Sequence, residues 1–234
     1  DKFFAERHPK MTNNEKKLSA KLIIFDLDGT LADTVESITE AMNAALTEMG
    51  LPLRDEAYIR RSVGNGSRTL CVRVLPEDRR DDATVAKLLK IYDRTYGETY
   101  MHVKSLYPGM TDALEALHAR GYKMAVFSNK QDAYVKNLCR ALLPEGYFGA
   151  AEGQLDGRPI KPDPATALEI CARLGIAPED AVMVGDGETD VELSLRGGLT
   201  PVSVTWGFRS REQLAAAGGK IFVDSTADLP DIFE

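Results

Sequence analysis

Residues 22–33 read LIIFDLDGTLAD. Leu22, Ile23, Ile24 and Phe25 suit a protein interior, yet the run ends in two aspartates, Asp26 and Asp28, one residue apart. Carboxylates are almost never fully buried without a partner, because removing a charge from water is costly. The stretch predicts a buried strand that delivers two acids to its carboxyl end, with something cationic close by.

Outward from this strand the chain alternates short apolar runs with helical patterns, the mark of a parallel sheet with crossover helices. Strands are expected over 22–26, 123–127, 182–184, 202–205 and 221–223. Helices are expected over 110–120, closed by Gly121, and over 165–174, closed by Gly175. The second has Asp163 to cap its first turn and Pro164 for its first helical position.

Residues 34–105 break the alternation. Val35, Ile38, Met42, Ala45, Leu46 and Met49 form one helical face, and Val85, Leu88, Leu89, Tyr92 and Tyr96 another, with no convincing strand between. That is too much helix for a single crossover. The expected organisation is an α/β core over 21–33 and 106–234 with a helical domain, 34–105, inserted after the first strand. Residues 1–20 are charged, lack sustained periodicity and are read as a tail outside the fold, with Met11 as a candidate natural start.

Composition narrows the function. The chain has 234 residues, 44% of them hydrophobic, and a formal net charge of -7. No run of 18 apolar residues and no leader-like apolar segment is visible, so a cytoplasmic enzyme is expected, with no membrane partner. The acidic balance disfavours nucleic acid. Cys71, Cys139 and Cys171 show no metal spacing and read as reduced apolar fillers. His8, His102 and His118 lack ligand spacing, and Trp206 and Phe208 read as packing residues.

In open parallel sheets, ligands bind beyond the carboxyl ends of the strands. The first strand ends in Asp26–Thr30, the second in Ser128-Asn129-Lys130 and the third in Gly185-Asp186-Gly187-Glu188-Thr189-Asp190; Lys161 precedes the Asp163-capped helix. Singly these are turn residues or solvated charges; jointly they put four carboxylates, a hydroxyl and an ammonium on one rim. Asp26 and Asp28, joined by Asp186, would call for a hard divalent cation, and Mg²⁺ fits best. Such a set suits phosphoryl chemistry. Asp26 would be a covalent nucleophile, Asp28 the general acid and base, and Lys161, Ser128 and Asn129 would neutralise the phosphate.

These residues resemble the haloacid dehalogenase superfamily, whose four motifs are matched in order by "DLDGT", "SN", the Lys of "KPDP" and "GDGETD". The resemblance runs from about Lys21 onward and implies a Rossmann-like, doubly wound parallel sheet with an inserted helical cap of the first (C1) type. It also implies Asp26 as nucleophile and Asp28 as acid and base. The metal set it implies is Asp26, Asp28 (through its carbonyl) and Asp186, with Asp190 supporting through water or Lys161. Within the superfamily, "LYPGMTDALEALHARGYKMAVFSNK", "VGNGSRTL" and "VTWGF" are similar to phosphoglycolate phosphatases.

The resemblance therefore implies a Mg²⁺-dependent phosphatase of a small phosphorylated metabolite, working as a monomer or homodimer. Thr30, Asn129 and the cap residues Gly64, Asn65 and Arg68 would bind substrate. Glu188 either joins the metal shell or faces water. The alternatives are a sugar phosphomutase of the β-phosphoglucomutase type and a non-catalytic phosphate-binding protein. The presence of Asp28 argues against a dehalogenase. A hinge is expected about residues 32–34 and 104–108.

Overall fold

The computed structural model describes residues 17–103 and 105–234. His8 and Met11 lie outside the described residues, as does Lys104 of the expected second hinge segment. In chain order the elements are β1 (Leu22–Phe25), then four helices, α1 (Val35–Glu48), α2 (Glu56–Ser62), α3 (Gly66–Val74) and α4 (Asp82–Thr99). There follow α5 (Met110–Ala119), β2 (Lys123–Gln131), α6 (Asp132–Leu142), β3 (Phe148–Gln154), α7 (Ala165–Leu174) and β4 (Ala181–Gly185). The chain closes with α8 (Glu188–Gly197), β5 (Thr200–Val204), α9 (Arg211–Ala216) and β6 (Ile221–Val223).

The six strands form one parallel sheet in the order β3-β2-β1-β4-β5-β6. β1 lies at its centre, which explains its unbroken apolar run: a central parallel strand is covered on both faces. Ile23 and Phe25 pack against Met110, Leu114 and Leu117 of α5 and Val135 and Leu138 of α6. Leu22 and Ile24 face the other way, onto Ala167 and Ile170 of α7 and Leu193 of α8. Chain connections leave β1 for β2 on one side and reach β4 on the other, so the order reverses beside β1. That is where a site is expected in such a sheet.

Helices α1–α4 gather around an apolar cluster of their own, with Ile38, Met42, Leu46, Ile59, Leu70, Val74, Leu88 and Tyr92, joined from the core by Phe208. The segments that lead into and out of these helices run side by side: Ala32 bridges Leu106, and the Tyr107 N–H donates to the Leu31 carbonyl at 2.9 Å.

The structure differs from the sequence reading in four places. β3, with the sequence Phe-Gly-Ala-Ala-Glu-Gly-Gln, carries no β-branched residue and no clean alternation. Its small residues answer instead to crowding, since a Cβ on Gly153 would meet the Asp132 backbone at 2.5 Å. β2 continues past Phe127 through Gln131 with an irregular register, so Ser128-Asn129-Lys130 lie within the strand and not after it. Pro164 flanks α7 instead of opening it, while Asp163 does accept from the Ala165 N–H at 2.9 Å. Residues 17–20 are not a detached tail: the Leu18 N–H donates to the Ile232 carbonyl at 2.8 Å, and Leu18 and Ala20 pack on the core.

All three cysteines are buried and free, in keeping with their reading as apolar fillers. Among the described residues no helix is long and apolar enough to cross a membrane. His118 stacks on Tyr147, and His102 pairs with Glu40 at 2.8 Å; neither faces the rim described next.

Candidate active site

Asp26 follows β1, with its N–H still in the ladder on the Val184 carbonyl at 2.9 Å. Oδ1 of its side chain accepts from the Leu27 N–H at 2.7 Å and pairs with Lys161 Nζ at 2.9 Å. No hydrogen bond to Oδ2 is found among the described residues. Lys161, 1% exposed, also pairs with Asp190 Oδ1 at 2.7 Å. The cation expected beside Asp26 is therefore Lys161, arriving from the loop before α7, whereas Asp28 takes Lys130.

Oxygens of Asp26, Asp186 and Asp190 lie within 4.8 Å of one another. Asp186 is held from both sides, by Thr30 Oγ1 at 2.9 Å and by the Phe208 N–H at 2.7 Å. Asp190 opens α8 and turns back to accept from the Gly187 N–H at 3.0 Å, which closes the first turn of that helix. The packing leaves no room at Gly29, where φ is +81° and a Cβ would sit 2.3 Å from Asp186 Oδ2. Only glycine serves there.

The electrostatics follow from this crowding. Burial, and next the negative charges of Asp190, Asp186 and Asp28, push the Asp26 carboxyl up to about 8, although Lys161 pulls it down. Burial and Asp190 push Asp186 up to about 6. Burial works to lower the Lys161 pKa, but Asp190 and Asp26 outweigh it and raise it. One ammonium does not offset this much negative charge. An all-oxygen set of three carboxylates short of positive charge is what a hard divalent cation takes, so the residues fit a metal ion of that class.

Beside this group opens a cavity of about 70 Å³. Asp26, Asp28, Ser128, Asn129 and Asp186 line it from the core, and Ile38, Gly64, Leu70, Tyr92 and Tyr96 line it from the helical segment. The rim residues read from the sequence thus meet in one place.

Several expected site residues do otherwise. The Asp28 carboxylate is outside the three-acid group: it accepts from Thr34 Oγ1 at 2.6 Å, pairs with Lys130 Nζ at 3.0 Å and lines the cavity. A side chain two residues beyond Asp26 keeps the strand's alternation only if the strand continues, and here the chain turns at Asp28–Gly29. Thr30 is wholly buried and spends its hydroxyl on Asp186, so it steadies an acid instead of touching substrate. Both Nδ2 protons of Asn129 are committed, to the carbonyls of Gly64 at 3.1 Å and Lys161 at 3.0 Å, and its Oδ1 accepts from the Lys161 N–H at 2.8 Å. Its amide is a brace.

In the helical segment, Gly64 reaches the cavity, but Asn65 binds Arg73 Nη2 at 2.8 Å, and exposed Arg68 pairs with Asp82 at 2.6 Å. Neither lines the cavity. Glu188 holds Arg209 Nε at 2.9 Å, which answers the choice between metal shell and water with a third partner. Phe208 and Arg209, by contrast, do line the cavity, as does Lys130, whose ammonium sits 4.6 Å over the Tyr96 ring. The sequence points to packing for Phe208, places Lys130 only as a neighbour of Ser128 and Asn129, and assigns nothing to Arg209. The strand-end rule would have found Phe208 and Arg209 had it been applied to β5, whose carboxyl end leads straight into them. Trp206 packs, donating its indole N–H to the Thr30 carbonyl at 3.1 Å.

A family model described as haloacid dehalogenase-like hydrolase matches residues 23–204. The chain belongs to that family. It is 32% identical over 226 residues to a protein of Salmonella paratyphi A named phosphoglycolate phosphatase, covering 88% of this chain and 90% of the relative. A protein of the same name from Escherichia coli O157:H7 is 31% identical over the same shares. Among solved structures, a Haemophilus somnus protein described as a predicted phosphoglycolate phosphatase superposes with a TM-score of 0.83 at 28% identity, covering 92% of this chain and 98% of that one. The chain is thus a haloacid dehalogenase-like hydrolase with a buried acidic cluster at its sheet's carboxyl edge.

Proposed function

We propose that the protein is a Mg²⁺-dependent phosphatase that hydrolyses a small phosphomonoester of the 2-phosphoglycolate kind through an aspartyl phosphate on Asp26. The observation that carries the reading is the position of Asp26. It stands at the cavity floor, one oxygen fixed by Lys161 and the Leu27 N–H, inside a group of three buried acids. The names of the relatives and the small cavity support a substrate with few heavy atoms beyond its phosphate.

In this reading Asp26 Oδ2 attacks phosphorus and the ester P–O bond breaks. Asp28, which lines the same cavity, gives its proton to the departing alkoxide, so the alcohol leaves neutral. A water then gives a proton to Asp28 as its oxygen attacks phosphorus, which frees the Asp26 carboxylate and inorganic phosphate. Lys130 and Thr34 fix the Asp28 carboxylate through the oxygen Oδ1. Ser128 and Lys161 offset phosphate charge, and Asp26, Asp186 and Asp190, with the carbonyl of Asp28, would hold the metal. When bound, Mg²⁺ supplies the positive charge that lets an anionic carboxylate approach an anionic ester. Helices α1–α4, seated over the cavity as a cap, exclude water during the first step, and the chain is cytoplasmic in this account.

The test is an assay of the purified protein with 2-phosphoglycolate, other small phosphomonoesters and β-glucose 1-phosphate, with Mg²⁺ and with chelator. Phosphate release from 2-phosphoglycolate that chelator stops is expected. Conversion of β-glucose 1-phosphate to its isomer without phosphate release would replace the reading with that of a mutase, and no turnover of any ester would leave only a phosphate-binding protein.

A further inference from the structure

The helical segment is pinned to the core at one corner. α2 ends at Ser62, and the chain turns through Val63 and Gly64, the latter with φ of +123°, before α3 begins at Gly66. Carbonyls at the end of a helix have no partner inside it. Here the carbonyls of Arg60 and Val63 both accept from the guanidinium of Arg209, Nη1 reaching Arg60 O at 3.2 Å and Nη2 reaching Val63 O. Nε of the same group lies 2.9 and 3.2 Å from the two Glu188 oxygens.

Arg209 is 7% exposed, and its planar fork is pre-shaped for several bonds at once, which a lysine cannot match. A Cβ on residue 64 would come within 3.3 Å of Nη2, so glycine there gives the guanidinium its space. The next carbonyl, Gly64 O, is taken by Asn129 Nδ2, whose amide also holds the main chain of Lys161 at both N and O. From the other side Arg60 reaches Asp33 at 3.2 Å and lies 5.1 Å over the Phe208 ring.

We propose that Arg209 is a positioning residue for the reaction: it seats the 60–64 corner of the helical segment over the cavity that holds Asp26. Asn129 links that seat to the Lys161 main chain. The grip is on carbonyls, not on side chains, so the cap can carry different substrate-reading side chains without losing its register on the core. Glu188 keeps the guanidinium turned toward the corner, which accounts for a glutamate at that place in the fourth motif. The inference rests on the phosphatase reading for its kinetic consequence, but its structural consequence stands alone.

The experiment compares wild type, Arg209→Gln, Arg209→Lys and, as a surface control, Arg211→Gln, by hydrogen exchange and by kinetics on 2-phosphoglycolate. In Arg209→Gln, amides of residues 56–66 are expected to exchange about tenfold faster, the scale of a pair of lost hydrogen bonds, with β1 and β4 unchanged. KM is expected to rise more than kcat falls, since a loosened seat weakens substrate capture before it disturbs Asp26. Arg209→Lys, which keeps the charge opposite Glu188 but not the fork, is expected to fall between, and it carries both readouts if Arg209→Gln does not fold. Arg211→Gln is expected to match wild type. Unchanged exchange over 56–66 in both Arg209 variants, or acceleration spread equally through β1 and β4, would overturn the proposal. Absence of phosphate release by wild type would defeat the phosphatase reading alone, because the exchange comparison would still decide this one.

Discussion

The rim at the ends of β1 and β4 and the corner at Val63–Gly64 line one cavity, yet they are held in opposite ways. At the rim, charged side chain meets charged side chain: Asp26, Asp190 and Lys161 form an ion cluster around a buried ammonium, and its members depend on one another. At the corner, side chains from the core grip main-chain carbonyls of the helical segment, and of the segment's own charged residues Arg60 reaches back to Asp33 while Arg68 looks outward to Asp82. Removing one partner from a buried charge cluster is costly, because it strands the other. A main-chain grip is indifferent to most side chains. The difference teaches where chemistry is fixed and where substrate choice can drift.

The comparison predicts a steep gradient of mutational effects. Asp26→Asn should lower phosphate release by a factor on the order of 10⁴ or more, the scale seen when a covalent nucleophile is lost, with circular dichroism unchanged. Comparable turnover by the variant would break the rim side of the contrast. Lys161→Met should abolish activity and also cost about 3–5 kcal/mol of stability, since it leaves Asp26 and Asp190 buried without their cation; urea denaturation measures this. A loss under 1 kcal/mol, about the worth of an exposed pair, would mean that the cluster is solvated after all.

The rim should also make the metal-free protein sensitive to pH in a stated direction. The folded pKa values of Asp26 and Asp186 are raised, so the folded state binds more protons than the unfolded one, and stability falls as pH rises. For Asp26 the loss begins near the ordinary carboxylate value and is complete once pH passes about 8; for Asp186 it is complete past about 6. Thermal melts with chelator should therefore show a lower Tm at pH 8 than at pH 5.5, and added Mg²⁺ should raise Tm more at pH 8. A chelated protein that is equally stable at both, and indifferent to Mg²⁺, would remove the case for a cation site. The smallest expected effect lies at the corner's outer face: Arg68→Gln should leave kcat/KM within about twofold, because an exposed ion pair contributes little. A tenfold loss would show that Arg68 swings inward to substrate.

The same contrast explains what could be read from the sequence. Asp26, Asp186 and Asp190 stand just past the ends of β1 and β4 in a sheet whose period is legible, and strand ends converge by topology, so their meeting followed from order along the chain; Ser128, inside β2, and Lys161, in the loop before α7, followed from the motifs that carry them. The fate of Asp28 did not follow, because the chain turns after Leu27 and the alternation that would have aimed its side chain at the other acids is lost. Thr30 and Asn129 were read as substrate ligands from their place in motifs; their hydrogen-bonding capacity is spent on Asp186, Gly64 and Lys161, which only tertiary packing decides. Asn65 and Arg68 point elsewhere for a related reason: Asn65, just before α3, is taken by Arg73, and which face of α3 looks into the cavity depends on how the helix docks. β3 escaped because its small residues answer to close backbone approach and carry no apolar rhythm. Arg209 was legible in principle, one turn past β5, but nothing local announces that an arginine will be buried.

The central claim is that the Asp26 carboxylate accepts phosphorus. The direct measurement mixes the protein with Mg²⁺ and 2-phosphoglycolate, quenches in acid during turnover, reduces any acyl phosphate to the alcohol with borohydride and maps the modified carboxyl by peptide mass. The account predicts reduction at Asp26, dependent on substrate and absent in Asp26→Asn. Turnover with no reduced carboxyl, or with reduction at another aspartate, would contradict it.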